Sequence, residues 1–321
     1  MTVIGFHASH EQSPPSELLA AVQRAEQLGF EAAMCSDHFA PWSERQGHSG
    51  YSWSWLGAAL ATTRLPFGVV TAPGQRAHPA TVAQAIATLG ELFPGRFWAA
   101  LGSGENINEH ITGEPWPDKA TRDARLRESV DVIRALLAGE QVDHAGHVRV
   151  HEARLWSVPD VAPRLVAAAI GPETARQAAE WADGLITAVQ DAEALRRVIG
   201  SYRDAGGRGP IALQVHLSWA PDEQEALAIA HDQWRHAVVS PPELWDIAQP
   251  AEFDRLSEHA TPQDIAERVI VSSDPAVHLE RLLALAELGF DELYLHHVGR
   301  AQEQFLTVFG REVLPELKAA R

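Results

Sequence analysis

The residues of this chain best suited to move a proton stand together in "CSDHFAPW" (35–42), where an apolar run turns polar at Asp37 and His38, with Trp42 following. A positioned imidazole gives or takes a proton near neutral pH, provided a neighbour fixes its orientation. A second group lies in "ALGSGENINEH" (100–110), where two glycines follow an apolar run and let backbone approach a ligand closely. Glu105 and Asn108 come within one turn of them, and Glu11 follows the first apolar run, "TVIGFHAS" (2–9). In "GPETARQAAEWADG", Gly171 and Pro172 close a run and Thr174 enters a helix whose first amides suit a phosphate. Each residue also has an ordinary reading. Asp37 can cap a turn, and most of the 16 histidines must be structural or solvated. His144, His147 and His151 are expected to decorate a hairpin, and His231 and His236 a helix. Cys35, Trp53 and Trp55 are expected in the core.

The elements that must position these groups are legible as alternation. Strand-like runs cover 2–9, 31–38, 65–72, 96–103, 164–171, 183–190, 210–219 and 291–298. Between them lie helical patterns such as "PSELLAAVQRAEQLG", opened by Pro15 and Ser16 and closed by Gly29. Near-continuous apolar strands separated by helices predict a parallel sheet covered on both faces. Eight such units in 321 residues predict an α/β chain folded as one (β/α)8 TIM barrel spanning 1–321. Two insertions are expected: a hairpin near 141–159, turning at Ala145 and Gly146, and an excursion near 240–265. Barrels of this kind carry their chemistry at the C-terminal strand ends. That selects Glu11, Asp37, His38, Thr71, Glu105, Asn108, Gln190, then His216 or Trp219, and His296 or His297.

Composition removes several classes of function. The formal net charge of −17 repels nucleic acid and anionic membrane surfaces. The chain has 24 arginines and only two lysines, Lys119 and Lys318, neither in an apolar run, which argues against a desolvated Schiff-base lysine. With one cysteine there is no disulfide framework and no thiolate metal cage. The start lacks a basic region before a long apolar segment, and no run reaches membrane-spanning length, so a cytoplasmic location is expected.

Taken together, "CSDHFAPW", "VTAPGQRAHPATVAQA", "ALGSGENINEH", "GPETARQAAEWADG" and "IAERVIVSSDP" resemble the bacterial luciferase-like flavin-dependent superfamily. The resemblance runs from about residue 3 to the C-terminus. It is nearest to the branch of the deazaflavin (coenzyme F420)-dependent glucose-6-phosphate dehydrogenases, including a subgroup of probable non-F420 flavinoid oxidoreductases. It implies a luciferase-like barrel and a likeness to homodimers. By that resemblance His38 takes the substrate hydroxyl proton while hydride leaves for the ring. Asp37 contacts the cofactor, Trp42 lines the substrate side, Glu105 acts near the ring, Asn108 binds the cofactor and Glu11 is the acid after strand one. A non-proline cis peptide behind the ring is implied at Val70–Thr71. Gly171, Pro172 and Thr174 match the cofactor phosphate loop, although Ile170 stands where relatives have another glycine. Arg268 matches an arginine that holds a sugar phosphate. Two accompanying lysines are missing, and Leu244 occupies one of their places.

The reading that follows is a flavin-type oxidoreductase, using FMN or F420, that moves hydride between its cofactor and a small alcohol, hemiacetal or carbonyl substrate. The cofactor would perform the redox step while a positioned histidine handles the proton. Scarce lysine leans slightly toward FMN, since an F420 tail brings extra carboxylates. One alternative is an FMN-dependent two-component monooxygenase fed by a flavin reductase. A remote one is a metal-dependent hydrolase. His7 and His10 lie three apart, so alternation points them to opposite faces, and no metal ligands are assigned.

Overall fold

The computed structural model describes residues 2–320. Each of the eight apolar runs contains one barrel strand. In chain order the strands are β1 (Val3–Ala8), β2 (Ala32–Ser36), β3 (Phe67–Thr71), β4 (Phe97–Leu101), β5 (Val142–Ala145), β6 (Arg149–Ala153), β7 (Arg164–Ala168), β8 (Leu185–Ala188), β9 (Ile211–Ser218), β10 (Ile270–Val271) and β11 (Glu292–His297). Parallel pairing runs β1-β2-β3-β4-β7-β8, then β9 and β11, and β11 returns to β1, closing a TIM barrel. β10 is a two-residue strand that extends pairing along the upper part of β9, at Leu217 and Ser218.

Alternation divides every barrel strand between two environments. Outward residues such as Ile4, Phe6, Ala33, Cys35, Phe97, Leu213, Val215 and Leu295 join the large cluster beneath the helices. Trp53 and Trp55 lie in that same cluster, as expected of core anchors. The lower interior is packed by Ala32, Met34, Trp98, Ala100, Val166, Ile186, Ala212 and Tyr294. Trp98 fits there because β3 has no side chain at Gly68, where an added Cβ would lie 2.0 Å from the indole ring. Above this apolar plug the interior turns polar, with His7 on β1, Gln214 and His216 on β9, and His296 on β11.

Both insertions form. β5 and β6 make an antiparallel hairpin, and the second excursion holds short helices at Glu243–Asp246, Pro250–Leu256 and Pro262–Ala266. The hairpin is less solvated than expected, because Glu128 on the helix Lys119–Leu137 accepts from His144 Nε2 at 2.8 Å and Val148 N at 3.1 Å. The expectation of a cis bond at Val70–Thr71 is corrected: the cis bond among the described residues is Pro241–Pro242. β3 keeps its regular ladder through that place, with Asp37 N donating to Val70 O and Gly102 N to Thr71 O. Continuous pairing on both sides leaves nothing to compel a conformation that costs about 3–4 kcal/mol. No helix among the described residues is long and apolar enough to cross a membrane.

Candidate active site

The strand ends surround a cavity of about 1380 Å³. That exceeds the roughly 300–1,000 Å³ usual for one small ligand and suits a cofactor beside a substrate. Its wall includes the sequence-selected residues Glu11, Asp37, His38, Trp42, Val70, Thr71, Glu105, Asn108, Gly171, Pro172, Thr174, Gln190, His216, Arg268 and His296. Trp219 and His297 face the other way: Trp219 Nε1 donates to Ser273 O, and His297 stacks on Phe305. Strand alternation thus chooses between the paired candidates at the ends of β9 and β11.

His38 stands between two carboxylates. Its Nδ1 lies 3.5 Å from Glu11 Oε1, and its Nε2 lies 3.7 Å from Glu105 Oε2. Nδ1 is occluded and makes no hydrogen bond, so Nε2 is the nitrogen left for a ligand. Glu11 is buried and fixed by Ser9 Oγ, which donates to its Oε2 at 2.7 Å. Burial raises the Glu105 carboxyl above its ordinary range, against the opposing pull of His38. Trp42 leans on His38, with ring centroids 5.0 Å apart and planes at 58°.

Asn108 ties this arrangement together. Its Oδ1 accepts from Phe39 N at 2.9 Å, and its Nδ2 donates to Glu105 Oε2 at 3.3 Å. The same amide therefore fixes both the loop after β2 and the acid after β4. Gly104 between those segments has φ +86°, a left-handed conformation that favours glycine.

Asp37 is buried, and its oxygens are taken. Ser52 Oγ donates to Oδ1 at 2.9 Å; Oδ2 accepts from Thr71 Oγ1 at 2.9 Å, Arg76 Nη2 at 3.0 Å and Trp53 Nε1 at 3.2 Å. Arg76 Nη2 also donates to the Asp37 carbonyl at 2.8 Å, and Arg76 N donates to Glu109 Oε2 at 2.6 Å. Burial raises the Glu109 carboxyl despite that bond. This network clamps the ends of β2 and β3 together behind the His38 loop.

Sequence reading missed Arg76, Glu109, Trp234, His236 and most of the cavity floor. On the floor, the Gln214 carboxamide nitrogen lies 3.0 Å from His296 Nδ1, 3.2 Å from His216 Nε2 and 3.5 Å from His7 Nε2. His296 Nε2 is 2.7 Å from Gln12 Oε1, and Gln12 in turn donates to Val298 O. Burial holds these imidazoles neutral, lowering His216 to about 4 and His7 and His296 well below the usual value. The available signal was polar residues two apart, Gln214 and His216, in an otherwise apolar strand. His236 was expected to decorate a helix. It is instead buried on the turn Arg235–Val238 and forms part of the cavity wall. Among the described residues no group of three His, Cys, Asp or Glu side chains is arranged to hold a metal ion.

Residues 1–292 match the model of a family described as luciferase-like monooxygenase. A Beutenbergia cavernae protein named F420-dependent glucose-6-phosphate dehydrogenase is 37% identical over 331 residues, covering 99% of this chain and 98% of that one. A protein of the same name from Nakamurella multipartita is 36% identical over 327 residues, covering 98% and 96%. Among solved structures, an F420-dependent secondary alcohol dehydrogenase in complex with an F420-acetone adduct matches with TM-score 0.90 and 29% identity over 98% of each chain. Monooxygenase RslO1 from Streptomyces bottropensis shares the fold at TM-score 0.75 and 21% identity, covering 98% of this chain and 100% of that one.

Proposed function

The chain belongs to the luciferase-like monooxygenase family, and we propose that within it this protein is an F420-dependent oxidoreductase acting on an alcohol, hemiacetal or carbonyl substrate. The observation that carries this reading is the line Glu11–His38–Glu105, with Nε2 of His38 left for a ligand. The slight lean toward FMN gives way here. The support for F420 is that the Beutenbergia and Nakamurella relatives and the alcohol dehydrogenase all carry it in their names.

The residues present fit such a cofactor. Val70, Thr71, Ala72, Gly102 and Ser103, at the ends of the paired strands β3 and β4, line the cavity on the side where a flat ring would lie. Gly171 caps the helix Pro172–Ala178, whose first helical bond is Ala175 N to Gly171 O, so the amides of Glu173 and Thr174 stay free for a phosphate group. When bound, the deazaflavin ring would exchange hydride with the carbon that bears the reacting oxygen.

The chain's own contribution is the proton. His38 Nε2 receives it from the substrate hydroxyl as a C–H bond breaks, and returns it in the reverse direction. The imidazolium so formed lies between Glu11 and Glu105, and with the Glu11 carboxylate at 3.5 Å a pair of unit charges interacts by about 5 kcal/mol at an effective dielectric of 20. The Trp42 ring beside it favours the same cation. Ser9 and Asn108 hold the flanking acids, so little reorganisation accompanies the transfer. Arg268, the expected substrate contact, is exposed on the cavity wall, and its side chain makes no hydrogen bond or ion pair among the described residues.

The test is anaerobic titration with F420 and with FMN, followed by F420 reduction against a panel of alcohols, sugars and aldehydes. Tight F420 binding with substrate-dependent reduction is expected. Binding of FMN alone, with turnover only in the presence of oxygen, would overturn the proposal.

A further inference from the structure

His236 is a polar side chain in an aromatic box. Trp42 stacks on it nearly parallel, at 6.0 Å and 6°, while Trp234 meets it edge-on at 4.7 Å and Phe253 at 6.4 Å. Its Nδ1 is buried without a partner, and neither ring nitrogen makes a hydrogen bond among the described residues. A phenylalanine would fill this box without burying an unpaired polar group. The histidine therefore weakens the folded protein, and only its Nε2, which is not occluded as Nδ1 is, can gain a partner from something entering the cavity. Trp42 touches His236 on one side and His38 on the other, so the two imidazoles flank one indole at the reacting end of the cavity.

The remaining polar groups around it are uncharged. His216 edges against Trp234, and Gln214 links His216 to His296 on the floor. Burial keeps His236 neutral, with its pKa lowered to about 3. The cations that line the cavity are engaged or exposed. Arg76 is held by Asp37, Lys119 by Asp123, Arg122 by Pro117 O and Arg197 by Glu193, while Arg268 and Arg281 are exposed. Arg76 Nε and Arg122 Nε are buried without a hydrogen bond, but both guanidinium groups already have a carboxylate, Asp37 at 3.0 Å and Asp246 at 3.9 Å. A phosphorylated substrate would therefore meet no buried cation that lacks one. Neutral imidazoles and a carboxamide, each able to donate and accept, match hydroxyl groups.

We propose that His236 is a specificity-determining residue that hydrogen-bonds a second oxygen of the substrate, and that the substrate is a neutral polyhydroxylated compound such as an unphosphorylated sugar or polyol. This rests on the oxidoreductase reading for the identity of the reacting carbon, and on the box alone for the second oxygen.

The experiment compares the wild-type chain with His236→Phe, which keeps the stack and removes both nitrogens, and with His236→Gln, which restores a donor and an acceptor. F420 reduction is followed with 2-propanol, butane-2,3-diol, D-glucose and glucose 6-phosphate. The wild-type protein is expected to favour the diol and glucose over 2-propanol. That preference should collapse by about 10–100-fold in His236→Phe, mainly through KM, and recover in part in His236→Gln. The melting temperature of His236→Phe should equal or exceed that of the wild type. An unchanged preference, a clear fall in melting temperature, or faster wild-type turnover of glucose 6-phosphate than of glucose would each overturn the inference. If no substrate reduces F420, the oxidoreductase reading fails by itself. D-Glucose binding measured by saturation-transfer NMR then decides the role of His236: binding that weakens in His236→Phe supports it, and equal or absent binding refutes it.

Discussion

Asp37 is where family resemblance and geometry assign different duties to one side chain, and a substitution separates them. By resemblance it contacts the cofactor; in the structure its two oxygens accept four side-chain hydrogen bonds, one of them from buried Arg76. Removing one partner of a buried ion pair costs about 3–5 kcal/mol. Arg76 Nε retains Glu109 Oε1 at 3.8 Å, which places Asp37→Ala near the lower end, at about 3 kcal/mol. In Asp37→Asn the amide oxygen can still accept from Trp53, Thr71 and Arg76 while Ser52 Oγ accepts from the amide. Only the charge is lost, for about 1.5 kcal/mol. With roughly 2.1 cal/mol/K of unfolding entropy per residue, a chain of 321 residues loses about 1.5 °C per kcal/mol. The melting temperature of the cofactor-free protein should therefore fall by roughly 4–5 °C in Asp37→Ala and about 2 °C in Asp37→Asn. Circular dichroism gives the melting curves, and calorimetry gives F420 affinity for the same samples. If Asp37→Ala melts with the wild type while its F420 affinity collapses, the clamp is the wrong account and Asp37 is a cofactor contact.

Three further outcomes are expected. His38→Ala should lower kcat by about 10²–10⁴ in F420 reduction with little change in F420 affinity; full turnover would move the proton to Glu105 or Glu11. Asn108→Ala should weaken F420 binding, by freeing both Phe39 N and Glu105, whereas His144→Ala, on the outer hairpin, should cost only a little stability through Glu128; equal effects on F420 affinity would contradict the site. Because burial raises the Glu105 carboxyl, the folded protein retains a proton that the unfolded chain releases above the ordinary glutamate range, and stability falls as pH rises through that window. Glu105→Gln should thus gain on the wild type in urea midpoints as pH rises above the ordinary glutamate range, and a constant difference would refute the shift.

The barrel was legible because its signal is periodic and repeated: eight apolar runs, each followed by a helix pattern, leave little topological choice. The proposed catalytic line was legible for a related reason. Glu11, His38 and Glu105 each follow directly on a strand, so knowing the strands places them on one rim. Where two candidates shared a strand end, sequence position alone left both open. Tertiary alternation then turned His216 and His296 inward, and Trp219 and His297 toward the helices.

His236 was illegible for the opposite reason. It lies on a short turn inside the long excursion between β9 and β10, where no strand register fixes which way a side chain faces. Its place depends on Trp42, Trp234 and Phe253, contributed by three separate segments of the chain. The Val70–Thr71 bond failed differently, since a family feature was carried onto a strand whose own ladder runs unbroken through Thr71. Pattern reasoning therefore locates groups that a barrel strand delivers and loses those that insertions deliver. On such a scaffold the strand ends carry the chemistry common to the family, while substrate choice falls to the excursions, which can vary without disturbing the closed sheet. For this chain that division matches the proposed roles, with the proton on His38, after β2, and the discrimination between substrates on the segment that carries His236.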